Sequence, residues 1–283
     1  MMEVIDAQLH PVFPMSWDFD DRSRVAASVE LTREAMDSVG IDAALLHVDD
    51  LEFCDVAIQK YPARFAACVK QQPWQNDYRS VLQDLRQHRG VVATRAMVGN
   101  PFNPEQLSEG YLTGGFDGLF SAAEELSVPL FLFLPGFADV AGGIAAAYPS
   151  ASIVVDHIGL RQPPGKVDND PWRDLDSVIS LAAFPNVSIK LSGAITLSRE
   201  PFPFPDVWGA LHRLLEAFGS RRLMWGSDMT RLRWDSDLKT AERSAWSGTY
   251  GDSLHFLRDT SEIGESEKAD LFGGTLRRVL GWV

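Results

Sequence analysis

The chain has 283 residues, 45% of them hydrophobic, enough for two average domains or for one barrel of about 250 residues. Its 39 acidic residues outnumber 26 basic ones for a net charge of −13, and no basic stripe stands out, which argues against nucleic acid and anionic membrane surfaces as partners. Cys54 and Cys68 are too few and too far apart for a disulfide framework or a zinc knuckle. The longest apolar run, "VPLFLFLPGF" at 128–137, is far below the roughly 20 residues of a membrane span, and the start shows no basic region followed by an apolar one. The expectation is a cytoplasmic protein with two reduced thiols in its core.

Short β-type runs alternate with helical patterns along almost the whole sequence. "VIDAQ" (4–8) is followed by a helix near 28–39, and "IDAALLH" (41–47) by one near 51–60. "FAACVK" (65–70) precedes a helix in which Tyr78, Val81, Leu82 and Leu85 fall at i, i+3, i+4 and i+7. "VVATRAM" (91–97), "VPLFLFL" (128–134) and "SIVVD" (152–156) are followed by helices near 116–126, 138–148 and 172–183. After "NVSIKL" (186–191), Val207, Leu211, Leu214, Leu215 and Phe218 make one apolar stripe, with Asp206 placed as its N-cap. "RLMWG" (222–226) is the last strand, and a helix near 265–280 follows.

Most of the strands are near-continuous runs of Val, Ile, Leu and Phe, the signature of strands covered on both faces in a parallel sheet. Eight strands alternating with helices predict a single domain over 1–283, an α/β fold of the (β/α)8 TIM-barrel class. The rival, an open doubly wound sheet, lacks a Gly-rich phosphate loop, because "GGF" at 114–116 is too poor a match. The longest connections, 158–172, 192–208 and 227–250, follow strands six to eight, on the face where barrels build active sites. Trp17, Phe102, Phe202, Phe204, Trp225 and Trp234 are candidates for apolar pocket walls, with core packing as the equal alternative.

In such a barrel the polar residues at the C-terminal strand ends converge: Gln8, His10, His47, Arg95, Asp156, His157, Lys190, Ser192, Ser227 and Asp228. Gln8 and His10 lie two apart and share one face of the strand. A Lys or Arg inside a buried strand costs several kcal/mol unless it is paired. Lys190 and Arg95 therefore point to an anionic substrate or to a carboxylate partner such as Asp228. His47 reads as a helix cap, and His88, His212 and His255 as surface residues. For Asp228, which leaves a buried strand through a glycine, a helix N-cap and a catalytic role are equal readings.

These residues, in this order, resemble the amidohydrolase-related family of (β/α)8 hydrolases, in the branch containing sugar lactonases, 2-pyrone-4,6-dicarboxylate lactonase and aromatic-acid decarboxylases. "VIDAQLH" stands where that family has D-x-H-x-H, "GVVATRAM" matches its strand with an Arg, and "IVVDHIGL" its D-H-x-G turn. "NVSIKLSG" matches the seventh strand, "RRLMWGSDMT" the G-S-D turn, and "SEKADLFGGTLRRVLG" the closing helix, with Thr275 where Asn is usual. The resemblance implies His10 and His157 as active-site imidazoles and Asp228 as the general base that activates water.

Two departures bear on a metal. Gln8 replaces the first histidine of the strand-1 pair, and strand five, "LFLFLPG", has no histidine. Only His10, His157 and Asp228 remain as ligands, a thin set for zinc, so no cofactor is favoured and a divalent metal such as zinc is the alternative. The expected reaction is hydrolysis of a lactone or similar activated ester of a small sugar or aromatic acid. Asp228 would take a proton from water, and His10, His157 and Lys190 would polarise the carbonyl. Gln8, Arg95 and Ser192 would contact the substrate, Arg95 through a carboxylate. The alternatives are a metal-independent lactone isomerase, which Q-x-H resembles, a zinc-dependent amidohydrolase or decarboxylase, and a barrel whose site has decayed into a binding module. The partner is a small anionic molecule; a homo-oligomer is left open.

Overall fold

Eight parallel strands lie side by side in chain order: β1 (Ile5–Leu9), β2 (Ala43–Val48), β3 (Phe65–Lys70), β4 (Val91–Met97), β5 (Leu130–Phe133), β6 (Ile153–Val155), β7 (Val187–Lys190) and β8 (Leu223–Met224). The computed structural model describes residues 2–12, 22–49, 51–162, 170–229, 232 and 248–282. Sequential order leaves β1 and β8 as the two edges, and hydrogen bonds join them. The Ala7 N–H donates to the Trp225 carbonyl (3.2 Å), and the Asp228 N–H donates to the Gln8 carbonyl (2.9 Å). This ring of parallel strands wrapped by helices is the (β/α)8 barrel that the alternation predicts.

The helices are α1 (Arg22–Val39), α2 (Glu52–Lys60), α3 (Tyr78–Gln87), α4 (Glu109–Leu112), α5 (Asp117–Glu125), α6 (Ala138–Ala147), α7 (Leu175–Ser180), α8 (Trp208–Phe218), α9 (Tyr250–Arg258), α10 (Glu265–Ala269) and α11 (Thr275–Leu280). Three details differ from the sequence reading. The helix expected over 265–280 is split by a wide turn at Asp270–Gly274, where Gly273 leaves helical geometry. Helix α9 falls partly in what reads as a loop; Thr249 and Asp252 cap it reciprocally, and their T-x-x-D spacing is its sequence signal. Asp206 does not cap α8: its carboxylate accepts from the Ser198 hydroxyl (2.5 Å) and the Arg199 N–H (2.7 Å), tying the loop after β7 together.

The core has two parts. Between strands and helices lies a large apolar shell; inside the ring, Ala7, Ala43, Ala66 and Ala93 leave room that Leu276, Leu280 and Trp282 fill. Small residues in the lower half of the strands thus admit the segment around α11 as a stopper. Cys54 and Cys68 are buried and not joined in a disulfide, as expected. Among the described residues no helix is long and apolar enough to cross a membrane.

Candidate active site at the barrel mouth

Alternate residues of a strand face the interior, and towards the C-terminal ends this face turns from apolar to charged. Asp156, at the end of β6, is the hub. Its Oδ1 lies 2.6 Å from Lys190 Nζ on β7, and its Oδ2 accepts a hydrogen bond from Arg95 Nε on β4 (2.7 Å). Lys190 is 0% exposed and its ammonium sits 4.7 Å above the Phe131 ring; Arg95 lies 5.5 Å over Phe133. Burial lowers the Lys190 pKa, and the Asp156 charge opposes that shift. The carboxylate partner of both cations is therefore Asp156, not Asp228, which corrects the expected pairing. Two cations on one carboxylate leave an excess positive charge beneath the mouth.

His47 is also part of this floor. Its Nε2 lies 3.1 Å from the Ala7 carbonyl and 3.3 Å from Lys190 Nζ, so it caps no helix. Burial, together with Lys190 and Arg95, holds it well below its ordinary pKa and hence neutral. His88, His212 and His255 sit on the helical exterior, paired with Asp55, Glu262 and Asp259.

Above the floor, His10, His157 and Asp228 come together. Asp228 Oδ1 is 3.6 Å from His10 Nε2, and Asp228 Oδ2 is 3.7 Å from His157 Nδ1, both just beyond hydrogen-bond length. His10 Nδ1 lies 2.9 Å from the His47 carbonyl, which only accepts, so Nδ1 carries the proton and Nε2 the lone pair. Gln8 Nε2 lies 3.2 Å from that lone pair and donates to it. Burial lowers the His10 pKa although Asp228 pulls it up, so the ring is neutral near pH 7.

The chain supports these side chains with unusual backbone. His157 (φ 54°), Ile158 (φ 61°) and Asp228 (φ 50°) all sit in the left-handed region, which costs on the order of 1–3 kcal/mol each for such residues and clusters at functional sites. Gln162 holds the His157 turn, donating from Nε2 to the carbonyls of His157 and Ser192 (3.0 Å each), while the Ser192 hydroxyl lies 3.0 Å from His157 Nδ1. Nothing in the sequence marks Gln162, because these two partners are main-chain carbonyls.

Gly226 lets the Asp228 turn approach β1. A Cβ there would lie 3.0 Å from Gln8 N and 3.1 Å from Gln8 Cβ. Gly226→Ala is expected to lower the melting temperature and to separate Asp228 from His10. Gly143→Ala, on the exposed face of α6 with nothing within 4 Å of the new methyl, is expected to raise stability by about 0.5–1 kcal/mol. Thermal unfolding of both variants checks the contrast.

The aromatic walls also need correction. Phe102 is 95% and Phe202 49% exposed, whereas Phe204 packs on Phe256 and Trp225 is buried with its indole N–H donated to the Ser253 carbonyl. Trp17 and Trp234 lie outside the described residues. The rings that do border the site are Phe131 and Phe133 of β5, the latter edge-on to His157 at 5.7 Å. Their signal is the alternation itself, two phenylalanines two apart on the strand without histidine.

A closed (β/α)8 ring with imidazoles after β1 and β6 and an aspartate after β8, gathered at one mouth, has the layout of a barrel enzyme. The chain belongs to the amidohydrolase family, whose model, described as Amidohydrolase, matches residues 5–282. It is 32% identical over 135 residues to L-fucono-1,5-lactonase of Burkholderia ambifaria, covering 46% of this chain and 41% of that one. It is 31% identical over 152 residues to 4-sulfomuconolactone hydrolase of Rhizobium radiobacter, covering 52% and 46%. The chain thus spans less than half the length of these two relatives. Among solved structures, an amidohydrolase from Burkholderia multivorans with bound zinc superimposes with a TM-score of 0.68 at 17% identity over 99% of both chains. A probable 2-pyrone-4,6-dicarboxylic acid hydrolase from Acinetobacter baumannii with citric acid bound gives 0.68 at 19% identity over 99% of this chain and 100% of that one. At such identities these two show the fold alone.

Proposed function

We propose that the chain hydrolyses a lactone of a small acid, with Asp228 as the general base. The observation that carries this reading is the seat of Asp228: a carboxylate on a left-handed turn, its two oxygens 3.6 and 3.7 Å from two imidazoles above a positively charged floor. A water held by Asp228 loses its proton to the carboxylate as its oxygen attacks the lactone carbonyl. The ring N–H of His157 is the donor placed for the developing oxyanion, and the Lys190–Asp156–Arg95 floor adds a positive field from below. Collapse breaks the ring C–O bond, and the departing oxygen takes the proton back from Asp228 to give the hydroxy acid. His10, whose Nε2 lone pair already accepts from Gln8 and whose Nδ1–H faces the His47 carbonyl, offers no N–H to the oxyanion and serves to hold the Gln8 amide in place.

Arg95 binds the carboxylate of the substrate. Its Nε is held by Asp156, while among the described residues its two terminal nitrogens make no hydrogen bond. Gln8 Oε1, buried and likewise without a partner among the described residues, suits a substrate hydroxyl. The two curated relatives, both named for action on lactones, support this substrate class.

The residues present do not fit a zinc centre. The amide of Gln8 stands where a second imidazole would be needed and directs its N–H at the His10 nitrogen that a metal would take. His157 Nδ1 is engaged near the Ser192 hydroxyl, and among the described residues no group of three or more His, Cys, Asp or Glu is arranged for an ion. This donor chemistry supports a metal-independent reaction. Turnover of a panel of sugar and aromatic-acid lactones in ¹⁸O-labelled water tests the class: hydrolysis puts solvent oxygen into the product carboxylate, and isomerisation does not. After exhaustive dialysis against a chelator, activity is expected to stay within about twofold, and loss restored by zinc would reject the metal-free reading.

A further inference from the structure

Asp6 is the one acidic residue of β1, and the reaction outlined above leaves it unused. It is 0% exposed, and its carboxylate collects four hydrogen bonds. Oδ1 accepts from the backbone N–H groups of Gln8 (2.9 Å) and Ser227 (2.8 Å); Oδ2 accepts from the hydroxyls of Ser227 (2.5 Å) and Tyr250 (3.0 Å).

Each donor stands at a joint of the active site. Gln8 lies in a bulge: from Asp6 to Leu9, β1 advances three residues while its partner β2 advances two, Ala44 to Leu46. The extra residue sets how Gln8 and His10 face the mouth. Ser227 immediately precedes Asp228, and its hydroxyl accepts the Met229 N–H (3.1 Å), so the turn carrying the base is wound around the Ser227–Asp6 contact. Tyr250 opens α9, the first described helix after that turn.

Asp6 has no ion-pair partner among the described residues; Arg64 is a cation felt by this cluster, through Tyr250. Burial accordingly pushes its carboxyl up to about 6, against the pull of its donors. A buried anion without a countercharge works against folding. A residue serving stability alone has no reason to be ionisable here.

We propose that Asp6 is the positioning residue of this site, clamping the turn of Asp228 to the bulge of β1 so that the base and the His10 ring keep their separation. This rests on the reading of Asp228 as the base. It acts only through that carboxylate and touches no substrate.

The test uses Asp6→Asn and Tyr250→Phe, assayed on the best lactone of the panel, with ¹⁵N spectra of the His10 ring at pH 7. Asparagine can accept the two backbone N–H bonds but offers an N–H where the two hydroxyls need an acceptor. Asp6→Asn is expected to lower kcat about tenfold or more with KM within about threefold, as a small misplacement of a catalytic group does. The His10 Nε2 resonance should move with it. Tyr250→Phe, which deletes one hydroxyl and leaves both strands intact, should give a smaller change in the same sense and serves if Asp6→Asn does not fold. Unchanged kcat and an unmoved His10 resonance in a folded variant overturn the proposal; so does loss of melting temperature with both readouts unaltered. Asp228→Asn run in parallel separates the two readings. If that variant stays active, the base assignment fails, and the His10 resonance of Asp6→Asn still decides whether the clamp exists.

Discussion

Asp228→Asn is expected to lower kcat/KM by about 10²–10⁴-fold while leaving the melting temperature nearly unchanged, the scale set by removing a general base. The substitution is clean for structural reasons. Asparagine is isosteric with aspartate and tolerates the left-handed backbone at φ 50° better than any residue except glycine. The Asp228 N–H bond to the Gln8 carbonyl is a main-chain interaction and survives. What disappears is the capacity to take a proton from water. A smaller loss is expected from His10→Asn, because His10 is neutral and transfers no proton in the proposed reaction. Steady-state kinetics with thermal unfolding on both variants checks the order, and an Asp228→Asn enzyme keeping more than about a tenth of its activity would remove aspartate from the base role.

The second large effect is on stability. Asp156→Ala is expected to cost on the order of 3–5 kcal/mol, measured by denaturant or thermal unfolding, because it strands a buried ammonium. Lys190 is wholly enclosed, and its Asp156 contact is its one carboxylate partner among the described residues. Lys190→Met should cost much less, since Asp156 keeps the Arg95 hydrogen bond and the new side chain still lies on Phe131. The sign of the pH dependence follows from the Lys190 shift. Its folded pKa lies below its unfolded value, so the unfolded chain binds more protons in that window and stability rises with pH across it. Without Asp156, which opposes the shift, the window widens, and the deficit of Asp156→Ala should shrink as pH is raised. Equal losses for Asp156→Ala and Lys190→Met would contradict the hub arrangement.

The barrel was legible because its strands bury both faces, and that leaves unbroken apolar runs at regular intervals. The convergence of His10, His157, Lys190 and Arg95 was legible because a charged or imidazole side chain at the end of an apolar strand is directed to the mouth. His47, at the end of the same kind of strand, reads as a helix cap and instead lies in the floor. Pairing was not legible. Arg95 and Lys190 could be placed inside the ring from sequence, yet which carboxylate they meet depends on the depth of Asp156 against that of Asp228, a matter of register across four strands. Gln162 was hidden because it acts through main-chain groups that every residue carries, and the Asp6 clamp because its donors, Gln8, Ser227 and Tyr250, lie up to 244 positions away. For the aromatic candidates the sequence left pocket wall and core packing equal, and packing decides between them: Phe102 lies in solvent and Trp225 in the core.

The stopper formed by Leu276, Leu280 and Trp282 has a consequence for how the chain is made. Its partners inside the ring, Ile5, Ala7 and Ala43, precede it by more than 200 positions and so leave the ribosome well before the residues that pack among them. The same holds for the seam, where Ala7 waits for Trp225. Early strands and helices can assemble as synthesis proceeds, but the ring cannot close until Trp225 has emerged, nor is its interior stoppered until Trp282 follows. Until Trp225 pairs with Ala7, the strand that carries Gln8 has an unpaired edge, the kind of open sheet that invites pairing with another chain.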